Sequence, residues 1–133
     1  MAKLVNSGEH NVLEVYLKSQ ARGDLYLGLY TDVAEPIEAA ILADVAELPE
    51  GVNGYARIAL ADGDWTVTAD LATHVQKTFL AAGGDWGQVY GYFICDVITG
   101  DAGNLLFVEH FSDGPYAILN GLSILLTPAI QAA

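Results

Sequence analysis

The spacing of apolar residues changes character once along the chain, near Gly23. Before it, Val12, Leu13, Tyr16 and Leu17 fall one, three and four positions apart, the spacing that places side chains on one face of a helix. Asn6-Ser7-Gly8-Glu9 has the form of a helix cap, in which an asparagine oxygen takes a free backbone N–H and a glutamate three residues later reaches back. A short amphipathic helix is therefore predicted from Glu9 to about Ala21, with Gly23 as its stop.

After Gly23 the period falls to two. In Leu25-Tyr26-Leu27-Gly28-Leu29-Tyr30 the leucines point one way and the tyrosines, with Gly28, the other, so both faces have something to bury and an interior strand is predicted. Asp32 to Asn53 carries acids, Pro36, Pro49 and an alanine-rich middle, which suits either a long loop or one turn of helix. Gly54 to Leu60 alternates again, with Tyr55 and Arg57 on one side and Ile58 and Leu60 on the other, and Ala61-Asp62-Gly63-Asp64 makes a turn. Trp65 to Ala69 and Val75 to Leu80 read as further strands. Trp86 to Val97 is the longest apolar stretch and is predicted as the central strand, with a bulge near Gly87 or Gly91. Leu105 to Phe111 follows, and then Tyr116 to Leu119 and Leu122 to Thr127 flank Asn120-Gly121, a strong short hairpin signal.

Seven or eight strands at turn-punctuated intervals, with no helices between them, predict a mainly β fold. The expected architecture is an antiparallel β-sandwich or jelly-roll-like domain with one short N-terminal α-helix. Residues 1–23 are expected to form the arm and helix, and 24–133 the β-sandwich of a single folding unit. The length of 133 residues suits one domain.

Charge narrows the possible partners. The formal net charge is −12, with five basic against 17 acidic residues and no basic cluster, so nucleic-acid phosphates would be repelled. Lys3, Lys18 and Arg22 lie in the first 23 positions, which leaves a strongly acidic body and an amino end that could dock on a partner. No charge-free run that is apolar throughout approaches the ~20 residues of a membrane helix. The first residues, MAKLVNSGEHN, meet charge before an apolar signal region can develop. A soluble protein made in a cytoplasm is expected, with neither nucleic-acid nor membrane partners.

Cys95 is the sole cysteine, and His10, His74 and His110 have no metal-ligand spacing. Cys95 lies in the most apolar stretch, where desolvation would hold it as a thiol. Glu109 and His110 are neighbours in a strand and point to opposite faces, so the carboxylate cannot orient the imidazole. Asp62-Gly63-Asp64 and Asp101-Ala102-Gly103-Asn104 lack the twelve-residue pattern of a calcium loop, and turn chemistry explains both. Gly83-Gly84-Asp85-Trp86-Gly87 lacks the lysine of a phosphate loop. No catalytic residue, metal or cofactor is expected. Aromatic and aliphatic side chains instead suggest contact surfaces: Val12, Leu13, Tyr16 and Leu17 on the helix, and Tyr26, Tyr30, Trp86, Tyr90 and Tyr92 on the strands.

Four phrases carry a further signal: LYLGLYT at 25–31, GYARIAL at 54–60, DWGQVYGYFICD at 85–96 and GNLLFVEHF at 103–111. In that order they resemble a family of small tailed-bacteriophage virion proteins, labelled tail-fibre or minor structural proteins and also met as capsid decoration or cement proteins. The resemblance spans roughly 25–128. It implies a β-sandwich subunit built into a virion as a symmetric homo-oligomer, a homotrimer, contacting the major capsid protein or other virion proteins, with no cofactor and no enzyme activity. The leading expectation is capsid decoration, in which the subunit clamps and stabilises the shell. The alternative is a tail or tail-fibre component that contacts the host surface or other tail proteins. The acidic 32–53 segment and the helix lie outside the shared phrases.

Overall fold

A computed structural model describes Leu17 and residues 24–131. The predicted helix lies outside the described residues apart from Leu17, which is helical and fully buried in the main core. The cap at 6–9 and Val12, Leu13 and Tyr16 also lie outside them.

Eleven short strands follow: β1 (Leu25–Tyr30), β2 (Ile58–Leu60), β3 (Trp65–Thr68), β4 (Leu71–His74), β5 (Lys77–Leu80), β6 (Gly87–Val89), β7 (Gly91–Cys95), β8 (Leu105–His110), β9 (Tyr116–Ile118), β10 (Ser123–Leu126) and β11 (Ala129–Gln131). They pair antiparallel in four sheets, ordered β2-β1-β7-β8, β11-β4-β3, β10-β5 and β6-β9. The mainly β class is as predicted. The larger number of strands has two sources. Leu71–His74 carries little alternation in sequence and owes its strand to pairing with β3 and β11. The long apolar stretch at 86–97 divides at Tyr90, which sends β6 to β9 and β7 to the centre of the largest sheet.

β1 is the interior strand its alternation demands. Leu25, Leu27 and Leu29 enter the main core with Tyr92 and Ile94 of β7, and meet Trp65, Phe79, Val89, Ile118, Ile124 and Ile130 from the other sheets. Layers of sheet thus share one core, as a sandwich requires. The opposite face of β1 and β7 builds a second cluster from Tyr30, Leu42, Phe93 and Cys95, with Tyr26, Tyr90, Leu105 and Val108 packed against it. Two glycines make that face possible. Gly28 stands opposite Phe93 and Gly91 opposite Tyr30, so each aromatic ring lies over a strand position that has no Cβ.

The acidic 32–53 segment covers this second face as a loop with a single 3-10 turn at Leu42–Asp44, whose Leu42 is buried. Past the end of β2, Glu47 bridges to Tyr30, and Leu48 N–H donates to the Leu29 carbonyl at 3.3 Å.

The expected hairpin at Asn120-Gly121 does not form. The turn is present, with Gly121 at φ 85°, but β9 pairs with β6 and β10 with β5. The physical reason lies in the neighbouring loop, which takes the turn's hydrogen bonds. Asn120 N–H donates to Asp85 Oδ1 at 2.7 Å, Gly121 N–H donates to the Ala81 carbonyl at 2.8 Å, and the Asn120 side-chain oxygen accepts from Gly83 N–H at 3.0 Å. Asn120→Ala should therefore lower the urea midpoint by an amount equivalent to about 1 kcal/mol, the net worth of one such bond.

Candidate functional site

The strand predicted over 54–60 is shorter in the fold, and Tyr55 and Arg57 lie in the stretch just before β2. Both side chains are buried, and the ring under Arg57 is Phe93, 5.5 Å from the guanidinium carbon. The polar tips of both residues converge on Glu47. Tyr55 Oη donates to Glu47 Oε2 at 2.6 Å and accepts from Leu29 N–H at 2.9 Å. Arg57 donates through Nε and Nη2 to the two Glu47 oxygens at 2.9 and 2.7 Å, a two-pronged pair. Its remaining donors reach the carbonyls of Val97 at 2.9 Å and Gly100 at 2.7 Å. Glu50 Oε1 lies 3.2 Å from Arg57 Nε as an ion pair without hydrogen-bond alignment, and Glu50 Oε2 accepts from Gly100 N–H at 3.2 Å. One guanidinium thus ties the acidic loop to the 97–100 turn over the Phe93 ring of β7, and Tyr55 links the same loop to β1. Burial works against its charge, yet the Glu47 hydrogen bonds and nearby negative groups outweigh that and raise its pKa.

Held this way, the acidic loop presents Val33, Ile37 and Ile41 to solvent, with Val33 and Ile37 each 73% exposed. Between the loop and β8 lies a groove of about 630 Å³ lined by Glu35, Ile37, Glu38, Leu105, Phe107 and Val108.

The aromatic candidates divide by burial. Tyr30 is fully buried and Tyr92 is 6% exposed, so both are core residues and not surface contacts. Leu17 is likewise part of the subunit's own core. Tyr26, Trp86 and Tyr90 are half-buried. Trp86 donates its indole N–H to the Asn53 carbonyl at 2.8 Å and packs edge-on against Tyr55. Tyr90 stacks with His110, whose Nδ1 shares a hydrogen bond with Tyr30 Oη at 3.0 Å. Glu109 points to the other face, as strand geometry requires, and accepts from Tyr92 Oη. Cys95 is buried, burial pushes its thiol up, and its Sγ–H donates to the Val97 carbonyl at 3.3 Å.

Glu47 and Glu50 escaped the sequence reading. Two polar-tipped side chains two residues apart, next to an acid-bearing loop, were the available signal.

The buried phenols predict an alkaline limit. Burial raises the pKa of Tyr30, Tyr55 and Tyr92, helped by neighbouring carboxylates, among them Glu47 beside Tyr55 and Glu109 beside Tyr92. A native pKa above the unfolded value means that the folded chain holds protons the unfolded chain releases. The stabilisation is complete below about pH 10, the unfolded tyrosine value, and is lost as pH climbs towards the higher native values. The share of tyrosinate absorbance that belongs to these three phenols should therefore appear cooperatively with the loss of β circular dichroism, and not before it.

A family model described as podophage GP4 fiber I protein gp80 matches residues 3–125. That range takes in every strand from β1 to β9 and nearly all of β10. The chain belongs to that family. It is accordingly a phage virion structural protein of the tail-fibre type. No curated protein and no solved structure matches it.

Proposed function

We propose that this chain is a structural subunit of a podophage fibre, acting through the shape and surface of a rigid β body and not through catalysis, without a cofactor. The observation that carries the reading is the fibre-family match over residues 3–125. That description favours the tail-fibre reading over capsid decoration, which no feature of the fold singles out. The engagement of the reactive side chains supports a non-catalytic role. Cys95 is packed away, and His110 is bonded to Tyr30. Both His74 nitrogens lie against carbonyls, of Val75 at 2.9 Å and Ala61 at 3.3 Å, and Arg57 is committed to the loop. In this reading the subunit works as a symmetric homo-oligomer, a trimer, joined to other virion proteins, and is made in the host cytoplasm.

Gold-labelled antibody against the β body, applied to intact virions and combined with quantitative mass spectrometry of copy number, tests the placement. Label confined to the fibres, with far fewer copies than the major capsid protein, is expected. Label spread over the shell at a capsid-like copy number would return the protein to a decoration role.

A further inference from the structure

Charge stops partway along the chain. All 17 acids lie at or before Asp113 and all five bases at or before Lys77, so residues 115–133 carry no charged side chain. That stretch supplies β9, β10 and β11. β9 pairs on one edge with β6, and β10 on one edge with β5, so the two strands diverge from their shared turn. A groove of about 440 Å³ lies between them, lined by Phe111, Tyr116, Ile118, Leu122, Ile124 and Leu126 among others, none of them charged. Leu122 and Leu125, which line it, are 48 and 54% exposed, and Leu80 of β5 and Leu119 are each 51% exposed. Leu80 and Leu125 lie on the same face of the paired strands β5 and β10, two register positions apart, and the other two lie in the turn.

The distribution of charge says what covers this face. Residues 24–131 carry 15 acids against two bases, the buried Arg57 and Lys77, so charge on the described surface is predominantly negative. A basic partner would be drawn to the acidic faces and would gain nothing from choosing the neutral one. A second copy carries the same acidic body, so two bodies repel each other across their charged faces. That repulsion is weakest where the described surface carries no charge. The same face also offers what a self-complementary contact needs, projecting leucines beside an apolar groove and open strand edges.

We propose that the charge-free edge formed by β9, β10 and the 119–122 turn is the surface through which copies of this chain join. The proposal rests on the homo-oligomer reading above and gives it a location.

Sedimentation velocity of the full chain over a range of protein and salt concentrations tests it. Wild type should associate, and more strongly at high salt, because screening removes repulsion between the acidic bodies. Leu122→Glu/Leu125→Glu should weaken association by about 100-fold or more, as an unpaired charge in a dry contact does, with an unchanged circular dichroism spectrum. Val33→Glu/Ile37→Glu, which alters equally exposed residues on the acidic loop, should leave association unchanged. As a check independent of any variant, wild-type amides at 116–126 should exchange more slowly as concentration rises. A monomeric wild type, association that survives the Leu122/Leu125 change, or dissociation by the Val33/Ile37 change would each overturn the contact. A monomer would leave fibre labelling of virions untouched, whereas shell labelling would remove the fibre reading and leave this contact standing.

Discussion

Arg57→Ala should be the most damaging single change in the described fold, at about 3–5 kcal/mol, the cost of removing one partner from a buried ion pair. The reason is the geometry left behind. The Arg57 side chain is 2% exposed and that of Glu47 14%, so deleting the guanidinium strands a carboxylate that water barely reaches. It also frees the carbonyls of Val97 and Gly100 and removes the cation over Phe93. Such a loss is a large share of the ~5–15 kcal/mol that holds a typical domain folded. Arg57→Lys should rescue little, because an ammonium cannot reproduce two parallel bonds to Glu47 while also reaching two carbonyls. Glu47→Gln should be milder, since the amide oxygen still accepts a hydrogen bond and Glu50 still balances the guanidinium. Denaturant midpoints for the three variants, in the order Ala, Lys, Gln from least to most stable, check the argument. An Arg57→Ala protein within 1 kcal/mol of wild type would show that the acidic loop is not held by this pair.

Gly91→Ala and Gly28→Ala come next, and should differ in a telling way. A Cβ at Gly91 would overlap both the Tyr30 ring and the backbone carbonyl of Glu109 on the paired strand β8. A Cβ at Gly28 would overlap only the ring of Phe93. Side chains can turn aside and a paired backbone cannot. Gly91→Ala should therefore reach or exceed the upper part of the ~1–3 kcal/mol range for overpacked cores, whereas Gly28→Ala should fall within it. Phe93→Leu should suppress much of the Gly28→Ala cost in a double-mutant cycle, and no change at Tyr30 should do the same for Gly91→Ala. Additive effects of Gly28→Ala and Phe93→Leu would mean that the ring does not depend on the missing Cβ.

Much of this was legible in the sequence because it depends on local periodicity. The two-residue rhythm of Leu25 to Tyr30 foretold a strand buried on both faces, and both faces are buried. The opposed directions of Glu109 and His110 and the burial of Cys95 follow from strand geometry and composition in the same way. Tertiary structure decided which strands pair, and that is where the reading of Asn120-Gly121 failed. A turn signal reports the bend of four residues and says nothing about competing partners, and here the 81–85 loop supplies the competing hydrogen bonds. The same limit hid the roles of Glu47, Tyr30 and Tyr92. Whether a carboxylate is solvated or locks an arginine, and whether a tyrosine faces a partner or its own core, depends on what long-range folding brings against it. The sequence by itself determined a mainly β chain with a strongly acidic body and uncharged final residues. Only the tertiary structure decided that an acidic loop closes over one sheet face, and that the uncharged strands diverge around an open groove. Periodicity acts between neighbours along the chain, while pairing and burial are settled by contacts between residues far apart in it.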